Sequence, residues 1–336
     1  MCIRDSFNPI KRSKYPALTE EEERVSIPLQ TLAGAIFDGV LVHMMNVLSP
    51  TWQALRADMC DKLNRRKDER TLDILATTYK RTDVLFLQEA ASSFVAAASA
   101  NDLGRNYHVV APSSMDGSRD QNSLVLLKRG AWAGATDVTA DVVAVLADKA
   151  EAAGGKSPVA PGDVAAVAAT RGGDPYLLVS FHGDTNGLAT IPITDAVLGK
   201  VGDKTLIFGL DANTYEAKRD GYQNAEEYQA HIVEKGLASQ RGSTKDMDPK
   251  LYTTFNARTY LQPQLNKAVK REDRFDSPSV DRNPKDFILF YASDFSLLSA
   301  SKDNTGDGAF AADDMFPTLA FPSDHAVTKV ALAAAP

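Results

Sequence analysis

Asn46, Glu89, His182, Asp211 with Asn213, Asp286, and Asp324 with His325 each stand at one end of a short apolar run. Carboxylates and imidazoles are the side chains that move protons near neutral pH. Carboxylate and carboxamide oxygens are also the ligands that hard divalent cations prefer. Taken singly, such residues are ordinary turn, cap or hydrogen-bonded positions. It is their recurrence along one chain that points to a shared site.

The runs that carry them read as buried strands. Val40 to Met45 leads into Asn46, Asp83 to Gln88 into Glu89, Tyr176 to Phe181 into His182, and Thr205 to Leu210 into Asp211. Asp286 opens the strand Phe287–Tyr291, and Ser323-Asp324-His325 precedes the last strand, Ala326 to Leu332. Asn122 to Lys128 is a further strand. Between the first two strands, Ser49-Pro50 offers a helix cap and a first-turn proline, and Trp52, Leu55, Met59 and Leu63 follow at helical spacing, continued by Leu72, Leu75 and Tyr79. Cys60 falls on the apolar face of that helix and is expected in the core. The opening is therefore strand, helix, strand, with a polar residue where each strand ends, which is where α/β sheets bind ligands. Asn224-x-x-Glu227 caps a later helix. Residues 131–172, rich in Ala, Val and Gly, are expected to hold one short helix plus loops, as an insertion.

The 336 residues carry a net charge of −7, with 44% hydrophobic and 24% charged side chains. That excludes a wholly disordered chain and a disulfide-stapled mini-fold. The acidic balance excludes a protein coated in nucleic acid but allows one local basic groove. Two scattered cysteines, Cys2 and Cys60, and the absence of any Asn-x-Ser/Thr sequon favour an intracellular setting. Leu32 to Leu48 is the longest apolar candidate. Asp38, His43 and Asn46 make it a poor membrane span, so no transmembrane segment is expected.

Residues 1–30 read as a polar leader, within which Thr19-x-x-Glu22 can cap a short helix. The first six, MCIRDS, read as the translation of a transposon end used in sequencing libraries. On that reading the natural start lies upstream, and a targeting peptide is not legible.

With these motifs in order, the sequence resembles the endonuclease/exonuclease/phosphatase superfamily. The resemblance rests on the strand-Asn, Leu87-Gln88-Glu89, the strand-His, Asp211-x-Asn213, the strand-opening Asp286 and Ser323-Asp324-His325. It spans about residues 36–333 and implies one catalytic domain over 31–336. The implied fold is DNase I-like: a four-layer α/β sandwich of two packed mixed sheets flanked by helices. The implied activity is metal-dependent phosphoester hydrolysis with Mg²⁺ or Mn²⁺. The resemblance gives Asn46, Glu89 and Asp324 the metal. Asp211 is expected to activate water and Asn213 to orient it or bind a phosphoryl oxygen. His325 is expected to donate to a phosphate oxygen, with Asp286 holding its ring, and His182 to stabilise developing charge.

Substrate choice is expected in two places. Gly183-Asp184-Thr185-Asn186-Gly187 makes a polar turn after His182, so Asp184 and Asn186 are candidate substrate contacts. From Arg258 to Lys285 there are seven Lys/Arg against four Asp/Glu, and Arg258, Lys267, Lys270 and Arg271 are candidate phosphate contacts. The leading expectation is a phosphodiesterase or nuclease acting on a phosphoester, nucleic acid included. The alternatives are a phosphatase for a small molecule or lipid head group, and a non-catalytic scaffold that keeps the fold. Asp303-x-Thr305-x-Asp307-Gly308 imitates a calcium loop only in part and reads as a polar loop.

Overall fold

The computed structural model describes residues 9–117, 121–152, 157–242, 251–257 and 280–335. The chain divides into two compact units, Met1–Asp61 and Lys62–Pro336.

The first unit is helical. α1 (Glu20–Leu48) starts on the expected capping box: Thr19 Oγ1 accepts from the Glu22 amide at 3.2 Å, and the Glu22 carboxylate accepts from the Thr19 amide at 2.7 Å. Four glutamates in the first turn add a favourable charge–dipole term. The helix does not stop short but runs through Val40–Asn46, which sequence reasoning read as a strand. A capped nucleus propagates through Leu, Ala and Met at little cost, and Val40 and Val42 oppose it by only tenths of a kcal/mol, about 0.5 each. α2 (Trp52–Cys60) follows, and Ser49 ends α1 instead of starting α2. Cys60 is exposed and not in a core. α1 is long and apolar enough to cross a bilayer by length and composition alone, a test that buried core helices and leader sequences also pass.

The second unit opens with a π-helical turn, Asp61–Arg65, reaching into it, and α3 (Lys67–Thr77). Then come β1 (Val84–Ala90), α4 (Ser92–Ala100), α5 (Asp102–Asn106), β2 (Tyr107–Val110) and β3 (Asn122–Lys128). β4 (Ala133–Asp137), α6 (Thr139–Ala152), β5 (Val164–Arg171), β6 (Asp174–His182), α7 (Thr190–Val201) and β7 (Thr205–Asp211) follow. The chain continues with α8 (Ala225–Glu234), β8 (Leu237–Ala238), β9 (Asn256–Ala257) and β10 (Val280–Asp281). It closes with β11 (Asp286–Tyr291), β12 (Phe295–Asp303) and β13 (Val327–Ala334).

One sheet has the order β1-β3-β2, all antiparallel. A second has the order β4-β5-β6-β7-β11-β8, parallel only between β6 and β7. β12 and β13 form a separate antiparallel ribbon, and β9 and β10 form a two-stranded one among the described residues. Residues 131–172 are therefore not loops around one helix, because β4 and β5 are part of the larger sheet. β5 reads weakly in sequence because half of it is alanine, whose small side chains let it lie buried between neighbours.

Strand alternation places the layers. On β3, Leu124 and Leu126 face α3, α4 and α5, while Val125 and Leu127 face the larger sheet. On β6 and β7, Leu177, Val179, Phe181, Leu206, Phe208 and Leu210 face α6, α7 and α8. Leu178 and Ile207 meet the smaller sheet. The result is helices, sheet, sheet, helices, as expected. The sheets press together closely at Gly209, where a Cβ would lie 2.4 Å from the Phe86 ring.

Candidate functional site

Period-two alternation also aims the polar residues. Phe181, Leu210 and Phe287 point into the outer core, so His182, Asp211 and Asp286, one residue along, point inward toward the smaller sheet. They lie on one rung: His182 is in register with Asp211 across the parallel pair, and Asp211 with Asp286 across the antiparallel pair.

His325 reaches this rung from just before β13. Its Nδ1 lies 3.1 and 3.0 Å from the two Asp286 carboxylate oxygens, and its Nε2 lies 3.8 Å from Asp211 Oδ2. His182 Nε2 stands 3.7 Å from the same Asp211 oxygen and 3.6 Å from Glu89 Oε1. Burial acts to lower the His325 pKa. The charges of Asp286 and Asp211 outweigh that and hold it well above the ordinary histidine value. Burial raises the Asp211 pKa, the His325 charge opposes the rise, and the net direction is upward.

Glu89 comes from the other sheet. Pairing of β1 with β3 slips between Leu87 and Ala90, a bulge that leaves Glu89 at φ 55°. A bulge re-aims a side chain, and a non-glycine residue in the left-handed region marks strain held in place by its surroundings. Gln88, beside it, donates to Ser180 Oγ at 2.8 Å, and Ser180 Oγ donates to Leu87 O at 2.9 Å, tying the two sheets together at this end. Glu89, Asp211, Asp286, Asp324 and His325 line one cavity of about 660 Å³.

Asn213 is also left-handed, at φ 47°. Its Nδ2 donates to Gly183 O at 2.8 Å, and its Oδ1 accepts from Lys285 Nζ at 3.0 Å. Its amide N–H donates to Asp211 Oδ1 at 2.8 Å. The residue thus pins the ends of β6 and β7 rather than presenting a free carboxamide oxygen. Lys285, buried, also lies 3.4 Å from Asp281 and over the Tyr215 ring. Sequence reasoning counted Lys285 only in the basic stretch, and its place immediately before Asp286 was the available signal. Thr253 was missed as well: its Oγ1 accepts from the amides of Lys285 and Asp286, both at 3.0 Å.

The structure does not bring every expected residue here. Asn46 is on helix α1 in the first unit, where its Oδ1 accepts from Trp52 Nε1 at 2.7 Å, so the strand end that recommended it is not present. Asp184 caps its own turn, accepting from the amides of Ala189 at 2.8 Å and Asn186 at 3.3 Å. That turn leads into α7, and Asn186 lies within it. Arg258, Lys267, Lys270 and Arg271 lie outside the described residues, as does MCIRDS.

Acidic and imidazole groups of Asp211, Asp286 and His325 have ligand atoms within 4.8 Å of one another. The His325–Asp286 pair already engages two of these groups. Glu89, with a half-exposed carboxylate, and Asp324, which lines the same cavity, are the better-placed oxygen donors for a hard cation.

A family model described as a domain of unknown function, DUF8234, matches residues 2–57. No curated protein matches. Among solved structures, TDP2 from D. rerio, complexed with a single-strand DNA product, is 16% identical with TM-score 0.50, covering 81% of this chain and 94% of that one. An endonuclease/exonuclease/phosphatase from Bacteroides vulgatus is 13% identical with TM-score 0.52, covering 82% and 94%. The chain has the DNase I-like fold of the endonuclease/exonuclease/phosphatase proteins.

Proposed function

We propose that this chain is a divalent-metal-dependent phosphoester hydrolase, with phosphodiesters, nucleic acid included, as the substrate class. The observation that carries the reading is the rung of His182, Asp211 and Asp286, completed by His325 and faced by Glu89. A scaffold has no use for a buried carboxylate held beside two imidazoles.

Asp211 is suited to take a proton from water. Burial raises its pKa, which makes it a stronger base than an ordinary aspartate. The water oxygen then bonds to phosphorus as the bond from phosphorus to the leaving oxygen breaks. His325, held protonated through Asp286, donates from Nε2 to a phosphoryl oxygen, where negative charge gathers. His182, beside Glu89 and Asp211, provides a second donor on the opposite side of Asp211.

The donor set fits a hard cation, because Glu89 and Asp324 offer oxygen and no cysteine lines the cavity among the described residues. Mg²⁺ or Mn²⁺ bound there would neutralise charge on the phosphate. Asn213, held by Lys285 and Gly183, keeps Asp211 in place.

That the D. rerio TDP2 structure contains single-strand DNA is a property of that protein, and it places single-stranded DNA first in the test. The test is a panel of single-stranded and duplex DNA, RNA, inositol phosphates and a generic bis-aryl phosphodiester. Each is assayed with Mg²⁺, Mn²⁺ and chelator, alongside Asp211→Ala and His325→Ala. Metal-dependent cleavage lost in both variants supports the reading. Activity in neither metal, or activity retained in Asp211→Ala, overturns it.

A further inference from the structure

The bulge that turns Glu89 into the site costs β1 its regular pairing. Leu87 faces Leu124 and Ala90 faces Asn122, so Gln88 and Glu89 stand opposite a single β3 residue, Ser123. Buried backbone groups at such a slip need partners from outside the ladder. The Ala90 carbonyl, next to Glu89, finds one in a side chain: it accepts from Asn122 Nδ2 at 3.0 Å.

Asn122 is fully buried, and both ends of its carboxamide are engaged. The same Nδ2 donates to Asp116 O at 3.1 Å, and Oδ1 accepts from the Asp116 amide at 2.9 Å. Turning this group would break all three bonds where water cannot replace them. The four residues Leu124 to Leu127 that follow on β3 are apolar and fully buried, so a carboxamide at the head of this strand is costly unless its bonds serve a purpose.

The loop 157–163 closes over Asn122. Gly162, at φ 91°, comes so near that a Cβ there would stand 2.3 Å from Asn122 Oδ1. Glycine alone combines that approach with that backbone angle. Ser123 then donates its amide to Gly162 O and its hydroxyl to Asp163 O, both at 2.8 Å. The Asp163 carbonyl also accepts from the His182 amide at 2.9 Å. Asn122 and Ser123 thus connect the backbone beside Glu89, in the smaller sheet, to the backbone of His182, in the larger one. The side chains fixed in this way stand 3.6 Å apart. The Gln88–Ser180 bond ties the sheets through the residue before Glu89, and this second tie acts through the residue after it.

We propose that Asn122 is a positioning residue for the metal-binding carboxylate. By holding the Ala90 carbonyl it fixes the bulge that carries Glu89, and through Ser123 and the loop 157–163 it sets Glu89 against His182. The metal part of this inference rests on the hydrolase reading, whereas the hold on the bulge does not.

The test is a pair of double-mutant cycles in the full chain. In the first, Asn122→Ala, Glu89→Gln and the double variant are compared for Mn²⁺ affinity, read from the electron paramagnetic resonance of free Mn²⁺ and not from turnover. Asn122→Ala should weaken Mn²⁺ binding at least tenfold in the wild-type background and less than about twofold in the Glu89→Gln background. Equal weakening in both backgrounds, or none in either, overturns the proposal. Ser123→Ala removes one hydroxyl and leaves the His182 amide on Asp163 O, so it keeps the cycle usable if Asn122→Ala does not fold. It should weaken binding about threefold, again only with Glu89 present, and an effect independent of Glu89 overturns the proposal. The second cycle is metal-free and combines Asn122→Ala, or Ser123→Ala, with Glu89→Gly in urea unfolding. The stability gained from Glu89→Gly should shrink once the hold on the bulge is removed, and strictly additive effects overturn that hold. A wild type that binds no Mn²⁺ overturns the hydrolase reading and the metal part with it, while the urea cycle still decides whether Asn122 holds the bulge.

Discussion

Asp286 grips the His325 ring through one nitrogen, with both carboxylate oxygens near 3 Å from Nδ1, while the other ring nitrogen faces Asp211. This fixes which nitrogen is turned toward the cavity. It also favours the imidazolium, since Asp286 and Asp211 together overcome the effect of burial. Because the folded-state pKa is raised, the charged form persists above the ordinary value of 6.5 and is lost only as pH rises through the raised value. In Asp286→Asn the alkaline limb of the kcat profile should move to lower pH, with kcat falling about 10²-fold or more. A pH–rate profile of the two proteins checks this, and an unmoved alkaline limb would refute the assignment.

Asp211 has the opposite thermodynamic sign. A buried carboxyl with a raised pKa costs stability once it ionises, so the wild type loses stability as pH rises from the unfolded value, near 3.8, through the raised one. Asp211→Asn should therefore be nearly inactive, down about 10²–10⁴-fold in kcat, yet gain thermal stability relative to the wild type as pH is raised from 4 to 7. Thermal unfolding at both pH values, together with turnover, separates a catalytic carboxylate from a structural one.

Lys285 acts through Asn213. Removing its ammonium in Lys285→Met leaves the Asn213 oxygen without that donor and takes a cation from beside Asp281. Turnover should fall about tenfold, an expected loss of roughly 1.4 kcal/mol in transition-state stabilisation, with KM little changed. Lys285→Arg should restore little, because a planar fork does not replace a point charge in this buried place. A rise in KM with kcat unchanged would instead make Lys285 a substrate contact.

The loop that resembled a calcium site is fully used by the protein. Asp303 accepts from Tyr79 Oη at 2.6 Å and from the amides of Thr305, Gly306 and Gly308 at 2.7, 2.9 and 2.9 Å. Burial acts to raise its pKa, but these bonds outweigh it and lower the value below 3.8. The stabilisation is present above that pH and disappears as pH falls through the lowered value. Tyr79→Phe should cost about 1.5–3 kcal/mol at pH 7, and the deficit should shrink as pH falls through the lowered Asp303 value. Urea titrations at pH 7 and at a pH below that value test it.

The rung was legible because period-two alternation on β6, β7 and β11 is strong and Asp211, Asp286 and His182 end apolar runs. The layers were legible for the same reason. β5 was not, since alanine carries little strand signal. Asn46 was chosen from a local pattern, and in α1 that pattern yields to a helix nucleated 27 residues earlier at Thr19. Lys285 and Thr253 support the site through bonds to atoms distant in sequence, which no local pattern encodes.

Glu89 tests whether strain and chemistry are separable at one residue. Its backbone sits at φ 55° on a bulge, a conformation that costs a side-chain-bearing residue about 1 kcal/mol or more relative to glycine. If the carboxylate is the reason the strain is tolerated, Glu89→Gly should stabilise the fold by about 1 kcal/mol, while Glu89→Gln, which keeps the strained backbone, should not. Both should lose the same function: the Mg²⁺ concentration for half-maximal activity should rise at least tenfold, because each removes the charged oxygen donor. Stability from urea titration and metal activation curves for the two variants settle the matter. Equal stability in Glu89→Gly and Glu89→Gln would mean the bulge is set by its neighbours alone. An unchanged metal requirement would remove Glu89 from the metal role and leave Asp324 and the Asp211 rung as the remaining donors.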